Sequence, residues 1–323
     1  MKIVHVILSK GFAGSERYVL DLINYQSKNN DCYLIKNSSN KSEQFINNLD
    51  KKITVFNIRN YFKSYQIEKL INQISPNIIH THLGGASRLI KKSNKYKLIA
   101  TSLMNFKIKY YKNHDGIIVL NRTQEKAVRK IFKGKVKKLF LWTKLKKNKP
   151  KKYNLRKDLE IPKESYVFGS LGRYHPQKGF DILIKAFIKA NLNNCYLVLA
   201  GQNSNSFSKF KSTNIKILDH QNELDKFFNT LNCFVMPSRW EGFGLVLLEA
   251  MKFNLPIISS LTEGNEEWIS NFPVSTFNIN DSKNLVELLK NEFKIKIKKK
   301  NYNLNYFNYE KNCKEVEKFY LKV

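Results

Sequence analysis

Two carboxylates with seven residues between them, straddling a pair of glycines, mark the part of this chain best equipped for chemistry. The segment Pro237-Ser238-Arg239-Trp240-Glu241-Gly242-Phe243-Gly244-Leu245 runs on to Glu249 and Met251, behind the strand-length apolar stretch Cys233 to Met236. Gly242 and Gly244 let the backbone come close to a ligand, and the amides where the next helix begins, at Gly244 and Leu245, suit phosphate oxygens. Glu241 falls in the loop before that helix and Glu249 in about its second turn, so the two acids can address different parts of one ligand. Either glutamate alone would read as a solvated helix charge; the spacing around the glycines carries the argument.

The segment Gly169-Ser170-Leu171-Gly172-Arg173-Tyr174-His175-Pro176-Gln177-Lys178-Gly179-Phe180 supplies cations after another strand-like run. Together the two segments resemble the retaining glycosyltransferase family numbered 4, of GT-B fold and bacterial surface-polysaccharide or lipopolysaccharide type. The signature of that family is two glutamates separated by seven residues, with Gly-Phe-Gly between them. The resemblance implies that Glu249 hydrogen-bonds the ribose hydroxyls of a nucleotide, that Glu241 lies close to the donor sugar, and that Arg173 and Lys178 hold the diphosphate. Breaking the bond to the sugar builds negative charge on the β-phosphate, and fixed cations stabilise that charge as it develops. The expected catalytic residues are Arg173, Lys178, Glu241 and His82. The expected donor-binding set is Gly14, Gly172, Glu241, Gly242, Phe243, Gly244, Leu245, Glu249 and Gly264. No Asp-x-Asp occurs in the chain, so no metal is expected, and no cofactor beyond a UDP- or GDP-sugar donor used as substrate.

Three further places resemble the same family less specifically. Gly11-Phe12-Ala13-Gly14-Ser15-Glu16-Arg17 is similar to its glycine loop after the first strand, which can touch donor phosphate or acceptor. In His80-Thr81-His82-Leu83-Gly84-Gly85 a continuing strand would put both histidines on one face, a metal-compatible geometry that lacks a third ligand in the sequence. His82 is therefore weighed as a polar cleft-lining group against ordinary packing. Glu263 to Trp268 stands where the family has a glycine loop and a glutamate, which makes Gly264 and Glu266 secondary candidates. Two departures bear on acceptor contacts and the hinge: Thr101-Ser102-Leu103-Met104 stands where many members have a histidine, and Leu141-Trp142-Thr143 replaces an Asn-Gly segment.

The elements that must position these groups follow from hydrophobic periodicity. In the first half, strand-length runs at Ile3 to Leu8, Cys32 to Lys36, Ile53 to Ile58, Asn77 to His80, Leu98 to Ala100 and Gly116 to Leu120 alternate with helical patterns such as Ser15 to Ser27. The pattern lapses over the Lys, Asn and Pro stretch from Lys144 to Asn154 and then resumes. The second half reads as strands at Tyr166 to Leu171, Tyr196 to Ala200, Ile215 to Leu218, Cys233 to Met236 and Pro256 to Ser259. Helices are expected between them at Phe180 to Ala190, Glu223 to Leu231 and Gly244 to Phe253. The expectation is α/β: two Rossmann-like, doubly wound parallel sheets facing a cleft, with ligands beyond the carboxyl ends of the strands. An acceptor-binding domain would span 1–150 and a nucleotide-sugar-binding domain 151–305, with the amphipathic tail from about 306 to 323 packing back on the first.

Composition narrows the partners. The 323 residues are 42% apolar and 13% aromatic, enough for two globular cores, and the apolar runs are far shorter than a membrane-spanning helix. The start reads as a strand rather than a secretory signal, so the expected place is the cytoplasm, with peripheral contact on the inner face of the membrane. Cys32, Cys195, Cys233 and Cys313 form no C-x-x-C pair and suggest neither disulfides nor zinc. Fifty-seven Lys and Arg against 26 Asp and Glu leave a formal +31. That charge would attract an anionic membrane, or it reflects a composition rich in Lys, Asn and Ile throughout. The dense clusters Lys144 to Lys152 and Lys294 to Lys300 are expected on a linker and a surface helix. Neither is interleaved with aromatics, so no specific nucleic acid is expected. The implied partners are a nucleotide-sugar donor and a glycan or lipid-linked acceptor. Competing readings are a nucleotide-sugar epimerase, a phosphorylase, or a non-enzymatic polyanion-binding protein; the Arg173 and Lys178 pair with the spaced glutamates favours transfer.

Overall fold

A computed structural model describes residues 1–103, 107–144, 154–221, 223–296 and 299–323, without the side chains of 43 and 44. The chain divides into two compact units, Met1–Lys144 with Asn305–Val323, and Leu145–Leu304. Most of the stretch expected to hold the linker, residues 145–153, lies outside the described residues.

The first unit is a seven-stranded sheet of β1 (Lys2–Ile7), β2 (Asp31–Asn37), β3 (Thr54–Ile58), β4 (Ile78–His82), β5 (Lys97–Thr101), β6 (Gly116–Val119) and β7 (Lys135–Lys138), in the order β3-β2-β1-β4-β5-β6-β7. Every pairing is parallel. The runs Ile3 to Ile7 and Ile117 to Leu120 are almost fully buried, which is why they read as continuous apolar stretches rather than alternating ones. Strand β7, Lys-Val-Lys-Lys, was not expected from the sequence. It sits at the sheet edge, where lysines remain solvated and discourage pairing with another chain. The C-terminal helix Tyr309–Lys322 belongs to this unit, its first turn capped by the Asn308 side chain accepting from Lys311 N. Phe319 and Val323 lie so close over β6 that a Cβ on Gly116 would meet them at 2.8 to 2.9 Å.

The second unit is a six-stranded parallel sheet of β8 (Tyr166–Leu171), β9 (Cys195–Ala200), β10 (Ile215–Leu218), β11 (Cys233–Met236), β12 (Ile257–Leu261) and β13 (Ser275–Asn278), in the order β10-β9-β8-β11-β12-β13. Its core joins Phe168, Leu197 and Leu199 of the sheet to Leu183 and Phe187 of the helix Phe180–Ala190 and to Leu289 of the helix Ser282–Ile295. Each such side chain taken out of water stabilises the fold by about 1.5 to 3 kcal/mol. The lysine cluster expected on a surface helix is placed differently: the helix ends at Ile295 and Lys296 takes a left-handed φ of 50°, so among the described lysines of that cluster only Lys294 is helical, and Lys298 lies outside the described residues. Strand order reverses between β8 and β11, and the segments singled out by sequence are the loops leaving those two neighbouring strands. Among the described residues no helix is long and apolar enough to cross a membrane.

Candidate functional site

Adjacent β8 and β11 deliver Gly172 to Gly179 and Pro237 to Gly244 to the same end of the second sheet. There Lys178 Nζ meets Glu241 Oε1 at 2.6 Å, and the Ser238 hydroxyl donates to the same oxygen at 2.7 Å. Both partners of the ion pair are mostly shielded, with side-chain exposures of 18% for Lys178 and 10% for Glu241. Glycines make the approach possible. A Cβ on Gly172 would lie 3.3 Å from three carbons of the Lys178 stem. One on Gly264 would lie 2.3 Å from the Glu241 carbonyl oxygen. Gly179, with φ +66°, sits under Pro237, whose carbonyl oxygen a Cβ would approach to 2.0 Å. A side chain at Gly179 would drive these two loops apart, and one at Gly264 would push its own loop, after β12, off Glu241.

A second tie holds the same loops and was not legible as a pair in the sequence. Arg239 forms a fork with Asp181, Nη1 to Oδ1 at 2.9 Å and Nη2 to Oδ2 at 2.8 Å, while Arg239 N donates to Gln177 O at 2.8 Å and Gln177 Nε2 donates to Trp240 O at 3.0 Å. The guanidinium holds the Asp181 carboxyl below its ordinary pKa, and Asp181 in turn raises Arg239. Bidentate pairing of this kind fixes orientation as well as distance. Behind it, Ser260 Oγ donates to Ser238 O at 2.6 Å, and buried Asn265 donates to Ser260 O at 3.0 Å and accepts from Thr262 N at 2.8 Å. Ser238 was inside the segment quoted from sequence, but a serine gives no signal of its partner until the loop is folded.

Gly244 takes φ +85° and caps the helix Leu245–Lys252, so the glycine permits the turn from which the helix amides emerge. Phe243 is buried, its ring stacked on Trp268 at 5.4 Å, and Trp268 Nε1 donates to the carbonyls of Phe243 and Gly264 at 3.2 Å each. Phe243 thus anchors the loop from beneath. Gly242 and Leu245 are half-buried beside it, and Glu249 is buried on the helix, 3% exposed. Arg173 is exposed and makes no hydrogen bond or ion pair among the described residues, in contrast to Lys178. Glu266 is exposed at the start of the short helix Glu266–Ile269.

The remaining candidates lie in the first unit. Gly14 opens the helix Gly14–Gln26, whose first turn is tied back by the buried Glu16 carboxylate accepting from Ala13 N at 2.8 Å. His82 ends β4 fully buried, and its Nε2 lies 3.0 Å from His5 Nδ1, with the rings stacked at 5.3 Å. His5 Nε2 meets Gln26 Oε1 at 2.8 Å, while His80 is held by Tyr320 OH at 2.6 Å and Thr101 Oγ1 at 2.7 Å. His5 is the third ligand the sequence did not reveal: one nitrogen from each of His5, His80 and His82 falls within 4.8 Å of the others. The parallel register that sets His5 beside His80 puts them together. A zinc ion needs about 2.0 to 2.1 Å to each nitrogen, and here both nitrogens of His5 and of His80 are already hydrogen-bonded, so the donor set fits a closed polar network better than an ion. Burial lowers His5 to about 4 and pushes His80 and His82 well below the ordinary histidine value. These rings are neutral near pH 7.

Residues 151–307 match the model of the family described as glycosyl transferases group 1. An O-antigen biosynthesis glycosyltransferase, WclY, of Escherichia coli is 33% identical over 117 residues, covering 34% of this chain and 33% of its own. An uncharacterized glycosyltransferase of Methanocaldococcus jannaschii is 28% identical over 241 residues, covering 61% of this chain and 59% of its own. The matched part is thus between a third and three fifths of these relatives' lengths. The crystal structure of HepE of Anabaena in complex with UDP-glucose superposes with a TM-score of 0.83 at 15% identity, covering 100% of both chains. Two all-parallel α/β sheets and that superposition establish the GT-B fold.

Proposed function

We propose that this protein is a metal-independent glycosyltransferase that moves a sugar, with retention of anomeric configuration, from a UDP- or GDP-sugar to a glycan or lipid-linked acceptor in surface-polysaccharide or lipopolysaccharide synthesis. The observation that carries the reading is the pairing of Lys178 with Glu241 at 2.6 Å where β8 and β11 diverge, on loops packed through Gly172, Gly179 and Gly264. Strand-order reversal is where doubly wound sheets bind nucleotides. The family match over 151–307 includes every one of these residues. A UDP donor is supported by the nucleotide sugar named in the HepE complex, and a surface glycan by the O-antigen role named for WclY.

In this mechanism the amides at Gly244 and Leu245 and the cations Arg173 and Lys178 grip the diphosphate, Glu249 takes the ribose hydroxyls and Glu241 the sugar. As the bond from the anomeric carbon to the β-phosphate oxygen breaks, its electron pair goes to the phosphate, where the two cations stabilise it. The acceptor hydroxyl then bonds to the anomeric carbon on the face the phosphate leaves, and its proton passes to the departing phosphate. Fixed charges are effective because they need no reorganisation as the charge develops. Positioning of the acceptor is assigned to the first unit.

A melting-temperature screen against UDP-, GDP- and ADP-sugars tests the donor assignment, since a ligand bound only by the folded chain raises the melting temperature. One nucleotide class is expected to stabilise the wild type and to fail with Glu249→Ala. No stabilisation by any of them would defeat the proposal.

A further inference from the structure

Of the large apolar side chains exposed on this protein, three fall within five residues of one another, at the carboxyl end of edge strand β3: Tyr61 is 54% exposed, Phe62 79% and Tyr65 69%. Others, such as Ile131, Ile188 and Leu321, stand singly along the chain. The knob is built rather than loose. Phe62 takes a left-handed φ of 47°, a conformation that a bulky residue adopts only when its surroundings impose it. Gln66, one turn into the helix Lys63–Ile74, imposes it: its side chain accepts from Arg59 N at 3.0 Å and donates to Tyr61 O, while its backbone amide donates to Phe62 O at 3.0 Å. The Arg59 guanidinium also lies over the Tyr61 ring, 5.9 Å from its centroid.

Neighbouring loops are stitched to the knob. Asn37 Nδ2 donates to Asn60 Oδ1 at 2.9 Å, Asn60 Nδ2 to Ser39 Oγ at 3.2 Å, and Asn40 Nδ2 to Gly11 O at 2.9 Å. The loops 9–12, 38–41 and 59–65 therefore form one surface. It carries Lys10, Lys41 and Arg59 exposed and Lys63 half-exposed, and these loops contain no Asp or Glu.

Projecting aromatics on a surface that carries four cations and, one helical turn on, the exposed acid Glu68 match the interfacial layer of an anionic bilayer, where amphipathic rings sit at headgroup depth and each nearby Lys or Arg adds attraction. We propose that this knob docks the protein on an anionic lipid surface, with Phe62 and Tyr65 entering the interface and Lys10, Lys41, Arg59 and Lys63 against the headgroups. The surface lies in the first unit and uses none of Arg173, Lys178, Glu241 and Glu249, so vesicle binding and sugar transfer can fail separately.

Sedimentation of the full chain with vesicles of phosphatidylcholine alone and of phosphatidylcholine with phosphatidylglycerol tests this. Wild type is expected to pellet with the anionic vesicles and far less with the neutral ones, and added salt is expected to release it. Phe62→Ser with Tyr65→Ser should weaken that binding by about tenfold or more, and Arg59→Gln with Lys63→Gln by about fivefold per cation. Melting temperature and circular dichroism should stay as in wild type, because Arg59, Phe62 and Tyr65 are exposed and Lys63 is half-exposed. Phe62→Trp should shift its emission to the blue and be quenched by brominated lipid. Vesicle binding that survives both double substitutions would overturn the proposal by placing the attraction in the diffuse +31 charge. So would a Phe62→Trp emission that ignores lipid, knob-dependent self-association, or knob-dependent binding of a single-stranded oligonucleotide in place of vesicles.

Discussion

Acid should loosen this protein through histidines that the fold buries in their neutral form. His5 and His114 are 0% and 3% exposed, and burial lowers both from the ordinary 6.5 to about 4. Between those values the unfolded chain binds a proton at each ring and the native state does not, so stability is full above about pH 6.5 and falls as the pH drops toward 4. Proton linkage puts the loss from pH 7 to pH 5 at about 2 kcal/mol per ring, or about 4 kcal/mol for the two. His80 and His82 are shifted in the same direction and add to the loss. Against a total stability of about 5 to 15 kcal/mol that is a large fraction. Asp21, Glu292 and Glu317, raised by burial, act in the opposite sense because the native state takes up their protons first as the pH falls; Asp181, held low by Arg239, supplies stability that disappears only below the ordinary carboxylate range. The assay is urea unfolding followed by intrinsic fluorescence at pH 7, 6 and 5, at two salt concentrations. Salt separates the causes, because rising net charge on a +31 chain is screened while proton binding to buried rings is not. His5→Gln with His82→Gln should lower the starting stability and also flatten the pH slope. A midpoint that stays level or rises from pH 7 to pH 5 would show that these rings are solvated or charged in the native protein and refute the reasoning.

Removing the amine with Lys178→Ala should cut turnover by about 100-fold or more, the scale seen when one fixed charge-stabilising group is lost, with the melting temperature nearly unchanged; steady-state transfer assays read it. Glu249→Ala should instead raise the donor dissociation constant, about tenfold for a lost hydrogen bond to a charged group, as read by calorimetric titration. Arg239→Lys keeps the charge but cannot fork onto Asp181. Because that pair is about a third exposed, its stability cost should stay below about 1 kcal/mol, while donor affinity falls as the two loops loosen. Gly179→Ala forces a left-handed alanine against the Pro237 carbonyl and should cost about 2 kcal/mol or more in denaturant unfolding; a neutral result would mean that the two loops are not packed as described.

Sequence alone marked all but two strands of both sheets, and the helices after β1, β8, β10 and β11 and at the C-terminus, because buried parallel strands are continuous apolar runs whose length and punctuation are local properties. Tyr166–Leu171, Phe180–Ala190, Ile215–Leu218 and Cys233–Met236 agree with their sequence bounds to the residue. It also marked the segments containing Lys178, Glu241 and Glu249 through glycine spacing. Strands β7 and β13 escaped because Lys-Val-Lys-Lys and Ser-Thr-Phe-Asn gain their ladder only from a neighbour. Tertiary structure decided which side chains meet. Arg239 reaches Asp181 across 58 positions, Lys178 reaches Glu241 across 63, and His5 joins His82 across 77. No local pattern encodes such pairs, since each depends on strand order and register that are fixed only when the whole sheet assembles. For the same reason the exposure of Phe62 and its neighbours emerges only from the fold: an aromatic beside lysines reads as core or as surface until the packing around Gln66 and Asn60 is known.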